Sequence, residues 1–309
     1  MNQHSPLRGA SLIERAAELY GFQPRKLEPS LAPEPVRDAP VREAPVRAAE
    51  PVAAPVIARK PAPRPSGPIV PVDRARLRAS ALIEPDAPVG ALAEEFRIVK
   101  RQLLLNANSA TDLAPEKRRT ILVCSAQPGE GKTFCALNLA LSLSSEKDVE
   151  VLLVDGDFHK PDVMATFGLE AGRGLVDAIA DPALDPEALV LRTDLPGLSV
   201  LPAGRQADNV TELLASERTR DIFRRLSEAV PNRFILMDSP PALLASPASV
   251  LAAHAGQLVM VVRADKTNEA ELRDALDLLS ACERQSLLLN ATGFAAGGRR
   301  FGAYYGYGQ

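Results

Sequence analysis

Short continuous apolar runs alternate with apolar stripes at helical spacing over most of this chain, and that alternation predicts its elements. Four runs are bounded by turn residues and read as buried strands: Ile121 to Cys124, Val151 to Val154, Phe234 to Met237 and Leu258 to Val262. Leu198 to Ala203 and Ser286 to Leu289 add two more. Between them lie helical patterns. One carries Leu92, Phe96, Val99 and Leu103; another follows Lys132 with Leu137, Ala140 and Leu141. Two more run from about Val210 to Ala229 and from Asn268 to Cys282. Strands that alternate with helices predict a doubly wound, mainly parallel α/β sheet with helices on both faces.

The pattern fails toward both ends. Ser11 to Gly21 reads as a short amphipathic helix, with Ser11 and Glu14 as a capping box, Gly21 as a stop, and Ile13, Ala16, Ala17 and Tyr20 on one face. Beyond it the chain is rich in Pro and Ala and echoes itself as PVRDA, PVREA and PVRAA. Frequent Pro and few large apolar groups predict a disordered linker. The expected division is a short helix in 1–28, a linker in 29–87, a folded domain in 88–298 and a mobile tail in 299–309. The tail, RRFGAYYGYGQ, holds Tyr304, Tyr305 and Tyr307 among glycines.

Composition narrows the function classes. A net charge of −3 over 309 residues gives no global basic field for nucleic acid. Cys124, Cys135 and Cys282 form no metal-type cluster and suit a reducing compartment. The start of the chain has no signal-peptide apolar core, and the free-thiol reading of the cysteines suits a reducing cytoplasm. The longest stretch free of Asp, Glu, Lys and Arg, Ser239 to Val262, contains three prolines, His254 and Gln257, and reads as turn, helix and strand, not as a membrane span.

The chemistry concentrates after three strands. Thr120 to Phe134, TILVCSAQPGEGKTF, places a Gly-rich turn between a strand and a helix. That is the context of a phosphate-binding loop, whose backbone N–H groups and helix N-terminus cradle phosphate. Its expected nucleotide contacts are Gln127, Pro128, Gly129, Glu130, Gly131, Lys132, Thr133 and Phe134. Lys132 would reach the phosphates and the Thr133 hydroxyl would ligate Mg²⁺. Ala126 stands where the usual pattern begins with Gly. The second strand ends in Asp155 and Asp157, and the Phe234 run ends in Asp238. Carboxylates at the carboxyl ends of parallel strands lie where such sheets bind ligands. Asp155 and Asp157 are placed for a metal ion or a proton, with Asp155 a candidate metal ligand beside Thr133 and Asp238.

These segments, in this order, resemble the bacterial tyrosine kinases, P-loop autokinases of capsule and exopolysaccharide export, and within them look most like those encoded with exosortase-linked polysaccharide loci. SAQPGEGKT stands as Walker A, VLLVDGD as the extra Walker A′ and ILMDSPP as Walker B. LPAG followed by NVTELLAS, the segment EFRIVKRQLL and the tyrosine cluster are also similar. The likeness covers about residues 88–309 and the opening helix. It implies an ATP- and Mg²⁺-dependent kinase with Lys132 neutralising phosphate, and Thr133 and Asp238 on the metal. Asp155 would accept the phenol proton and Asp157 support the metal site, with the base open between the two. Phosphate would go to Tyr304, Tyr305 and Tyr307 in trans, within a homo-oligomeric ring. A membrane polysaccharide co-polymerase would be the activator, recruiting the chain to the inner face of the inner membrane.

Two positions depart from the family pattern. His159, followed by Lys160, stands where Arg is common, and the oligomer motif E-x-x-R-x-x-R reads Glu94, Arg97, Lys100. That set is expected to form one exposed stripe. The competing readings are a ParA/MinD-like ATPase, which carries a second lysine where this chain has Gln127, and a non-catalytic ATP-binding switch.

Overall fold

The computed structural model describes residues 69–292. The opening helix, most of the expected linker and the tyrosine tail lie outside the described residues. The described strands are β1 Ile69–Val70, β2 Thr120–Ser125, β3 Glu150–Asp155, β4 Leu191–Thr193, β5 Leu198–Leu201, β6 Arg233–Asp238, β7 Gln257–Arg263 and β8 Gln285–Asn290. They form one sheet in the order β1-β4-β5-β3-β6-β2-β7-β8, parallel at every pairing except β4 with β5. The helices are α1 Arg74–Ala79, α2 Ala91–Ser109, α3 Pro115–Arg118, α4 Lys132–Ser144, α5 Val163–Phe167 and α6 Leu175–Ala180. Then come α7 Val210–Leu214, α8 Glu217–Ala229, α9 Pro247–His254 and α10 Glu269–Leu278. The expected doubly wound α/β architecture is the one observed.

Alternate residues of the central strands feed two cores, as a pleat requires. Leu122, Leu152, Ile235 and Met260 pack on one face with α6, α8 and α9. Ile121, Val151, Leu153 and Val261 pack on the other with α2 and α4. Both faces are covered, so β2 is buried throughout, which explains its unbroken apolar run. The three cysteines are free and buried.

Two expectations are corrected. Residues 69–87, assigned to the linker, are folded. β1 pairs with β4, and Val72, Leu77 and Leu82 are buried. Asp73 caps α1 by accepting the N–H groups of Ala75 and Arg76. Three apolar anchors and a capped turn order this stretch in spite of its Pro-rich approach. The stripe of Glu94, Arg97 and Lys100 is not uniformly exposed either. Glu94 and Arg97 form a surface ion pair, but Lys100 is 7% exposed. Its ammonium donates to the Ser142 carbonyl at 3.0 Å and pairs with Glu146 at 2.8 Å, closing the C-terminal end of α4. Phe96, Lys100, Leu103 and Ala107 recur at spacings of four and three, so Lys100 lies on the seam that faces α4.

Among the described residues, no helix is long and apolar enough to cross a membrane.

Candidate nucleotide and phosphoryl-transfer site

β6 lies between β2 and β3, although it follows both in the chain. That insertion brings three strand ends together. Asp155 is directly opposite Asp238 in the β3–β6 register, and Val123 is opposite Asp238 in the β2–β6 register. The 155–157 turn rests on β6, with Gly156 N–H donating to the Asp238 carbonyl at 2.7 Å. A Cβ at Gly156 would stand 2.6 Å from that oxygen, so only glycine allows the approach.

The loop from Ala126 to Gly131 joins β2 to α4. Gly129 and Gly131 have φ of 75° and 95°, the left-handed region that glycine enters without penalty. Gly131 is constrained twice, since a Cβ there would lie 2.1 Å from Asn290 Nδ2. Among the described residues, the backbone N–H groups from Gly129 through Phe134 donate to no protein acceptor. A run of free donors at the start of a 13-residue helix is the donor set that phosphate oxygens satisfy.

The side chains around this loop are charged and mostly sealed from water. Lys132 donates to Asp157 at 2.8 Å. Burial works against the Lys132 charge, but Asp238 and Asp157 outweigh it and hold the ammonium above its ordinary proton affinity. Asp155 accepts the N–H groups of Val163 at 3.2 Å and Asp157 at 3.3 Å. Burial, helped by the neighbouring Asp238, raises its pKa to about 7. Asp238 is 1% exposed and its pKa is likewise raised to about 7, with burial as the main cause and Lys132 opposing it. Neither Asp238 oxygen takes a hydrogen bond of ordinary geometry, although the Thr133 hydroxyl stands close enough to favour its ionised form.

A cleft of about 610 Å³ opens over the loop, walled by Lys132, Thr133, Asp157, His159, Lys160 and the Pro240–Pro241 turn. Lys160 is largely exposed and pairs with Asp162 at 3.5 Å. A larger hollow of about 750 Å³, walled in part by Arg97 and Lys100, shares no residue with the strand ends.

The structure therefore gathers Lys132, Thr133, Asp155, Asp157 and Asp238 at one sheet edge, under a loop built by Gln127 to Gly131. Glu94, Arg97 and Lys100 are elsewhere, and Tyr304, Tyr305 and Tyr307 lie outside the described residues. Two of the expected nucleotide contacts face away from the cleft. The Phe134 ring packs edge-on to Phe96 at 6.4 Å, and the Glu130 carboxylate is buried. Sequence reasoning missed the residues that brace the loop from β7 and β8. Arg263 donates to the Gly129 carbonyl at 2.7 Å, and Asn290 to the Glu130 carbonyl at 2.9 Å. Thr267 donates to the Glu130 carboxylate, and Gln127 reaches Glu271 at 3.1 Å. Their one sequence signal is position, because Arg263 and Asn290 end strands at the edge that carries the site.

No protein-family model matches the chain. Among characterised proteins it is similar to the tyrosine-protein kinase YwqD of Bacillus subtilis, with 29% identity over 200 residues, covering 65% of this chain and 80% of YwqD. It is 27% identical over 226 residues to the tyrosine-protein kinase wzc of Salmonella typhimurium, covering 67% of this chain but only 31% of that longer protein. Among solved structures, the VpsO kinase domain superposes with a TM-score of 0.52 at 28% identity, covering 64% of this chain and 98% of that domain. With Asp155 and Asp238 at paired strand ends beside its phosphate loop, the chain is similar over this domain to the bacterial tyrosine-protein kinases.

Proposed function

We propose that this chain is an ATP- and Mg²⁺-dependent protein-tyrosine autokinase that phosphorylates Tyr304, Tyr305 and Tyr307 of a neighbouring copy. The observation that carries the reading is Asp238. A carboxylate sealed from water, with two unpartnered oxygens beside the Thr133 hydroxyl, is costly unless a cation completes it. Mg²⁺ keeps most of its coordination in water and phosphate oxygens, so one carboxylate and one hydroxyl from the protein suffice. Among the described residues, no group of three or more His, Cys, Asp or Glu side chains is arranged to hold a metal ion by itself. When bound, the metal would neutralise charge on the transferring phosphate.

The chain's own groups supply the rest. The free N–H groups hold the phosphates, and Lys132 leaves Asp157 to meet them. We assign the phenol proton to Asp155, whose pKa of about 7 suits a base at neutral pH. Asp157, on the cleft wall, orients Lys132 and donates its N–H to Asp155.

Kinship with capsule and exopolysaccharide kinases supports a role in regulating polymer synthesis and export. A membrane co-polymerase would be the activator, and the site of action would be the inner face of the inner membrane. Kinship with the exosortase-linked subgroup belongs to the same proposal. Each phosphotyrosine adds about −1.5 to −2 charges, so three exceed the chain's net −3. Such a tail would be repelled from a site of phosphates and carboxylates, and unphosphorylated copies would assemble where phosphorylated ones part.

The test is the full chain with Mg-ATP, read for phosphotyrosine by mass spectrometry. Label at Tyr304, Tyr305 and Tyr307 is expected, and none in Lys132→Ala. Label persisting in Lys132→Ala would refute the assignment. A chain ending at Ala303 should hydrolyse ATP slowly and incorporate nothing.

A further inference from the structure

Glu130 is the anomaly of the phosphate loop. It places a carboxylate beneath a loop meant for anions, where charge alone would weaken nucleotide binding. The side chain is 1% exposed and absent from the cleft wall. One oxygen accepts the Gln127 N–H at 2.8 Å, tying the loop across three residues. The other accepts the Thr267 hydroxyl, which itself accepts the Arg263 N–H at 2.9 Å. Arg263 in turn holds the Gly129 carbonyl, and Asn290 the Glu130 carbonyl.

Resting on the nucleotide reading above, we propose that Glu130, clamped by Thr267, is a positioning residue: it sets the loop's donors toward the phosphates without touching them. Two consequences of the geometry support this. Gln127 N–H is drawn inward by Glu130, whereas the N–H groups from Gly129 to Phe134 are left free. The loop also holds two left-handed glycines, which an untied chain would populate only in part, so the clamp removes an ordering cost that binding would otherwise meet. Glutamine at this position can keep both links. Its amide oxygen can accept from Gln127, and its NH₂ can donate to the Thr267 oxygen. Alanine can keep neither.

The experiment measures ADP affinity by calorimetry on the full chain, with melting temperature recorded in EDTA without nucleotide. Glu130→Ala should weaken ADP binding about tenfold, the scale of ordering one loop residue. Glu130→Gln should restore it to within about twofold, because the links and not the charge are at issue. Thr267→Val should weaken binding severalfold in the wild-type background and add nothing to Glu130→Ala, the signature of one shared linkage. Equal affinity in wild type and Glu130→Ala would overturn the proposal while leaving the nucleotide site standing. So would equal losses in the Ala and Gln variants, or additive losses with Thr267→Val. Wild type that binds no ADP would overturn both readings. If Glu130→Ala does not fold, the comparison of Glu130→Gln with Thr267→Val still decides, since only the second breaks the clamp.

Discussion

Replacing Asp238 with Asn should stabilise the metal-free, nucleotide-free protein at pH 8 while destroying what the site is for. Folded Asp238 has a pKa of about 7 against an ordinary 3.8, with burial as the cause. The group therefore binds its proton more tightly folded than unfolded. Its favourable contribution is complete below the unfolded value and is lost as pH rises through about 7. At about 1.4 kcal/mol per pH unit, the ionised side chain costs a ceiling of about 4 kcal/mol at pH 8. Asparagine removes that cost but leaves a buried amide without partners, which takes back about 1–3 kcal/mol. The expected net gain is about 2 kcal/mol, or a melting temperature about 4–8 °C higher for a domain of this size. At pH 5, where wild-type Asp238 is protonated, the gain should vanish. Thermal unfolding in EDTA at both pH values reads this directly. Mg-ADP should then reverse the order at pH 8, stabilising wild type more than the variant. The reasoning fails if Asp238→Asn melts below wild type at pH 8, or if the difference is the same at pH 5.

Lys100 and Arg97 should separate. Lys100→Ala removes a buried ammonium that holds the end of α4, and should cost about 1–3 kcal/mol in denaturant unfolding. Arg97→Ala loses only an exposed pair and should leave stability within about 0.5 kcal/mol. If the Glu94–Arg97 surface is the oligomer contact, Arg97→Ala should still lower the mass of unphosphorylated protein in light scattering, and an unchanged mass would exclude that role. Gly131→Ala should weaken ADP binding strongly, because its Cβ meets the Asn290 side-chain amide in a left-handed backbone; unchanged affinity would show that Asn290 turns aside and that the loop tolerates the strain.

The sheet and the phosphate loop were legible because each left a local mark. Buried strands such as Ile121 to Cys124 are unbroken apolar runs, and Gly131-Lys132-Thr133 follows one of them at once. The folded stretch 69–87 was not legible, since β1 is two residues long and its pairing with β4 spans over a hundred positions. A local mark was present all the same: Asp73 precedes RARLRA, with Leu77 as its apolar anchor. Lys100 was misjudged as one of a row of charges, although the spacing from Phe96 to Leu103 already set it on the buried seam. The braces from Arg263, Thr267 and Asn290 were beyond reach, because each meets the loop from more than 130 residues away.

The three buried thiols make this protein its own opening gauge. Burial pushes Cys124 up to about 11 and Cys135 up to about 12, and it raises Cys282 as well, so at pH 8 the folded chain offers almost no thiolate to an alkylating reagent. Modification must wait for an excursion that exposes them. Cys124 is the last but one residue of the strand that feeds the phosphate loop, Cys135 sits in the first turn of the helix after it, and Cys282 follows the helix beyond β7. Alkylation rates at the three, resolved by peptide mapping, would time the loosening of the strand and helix on either side of the loop against that of the turn before β8. No label need be engineered in to hear them.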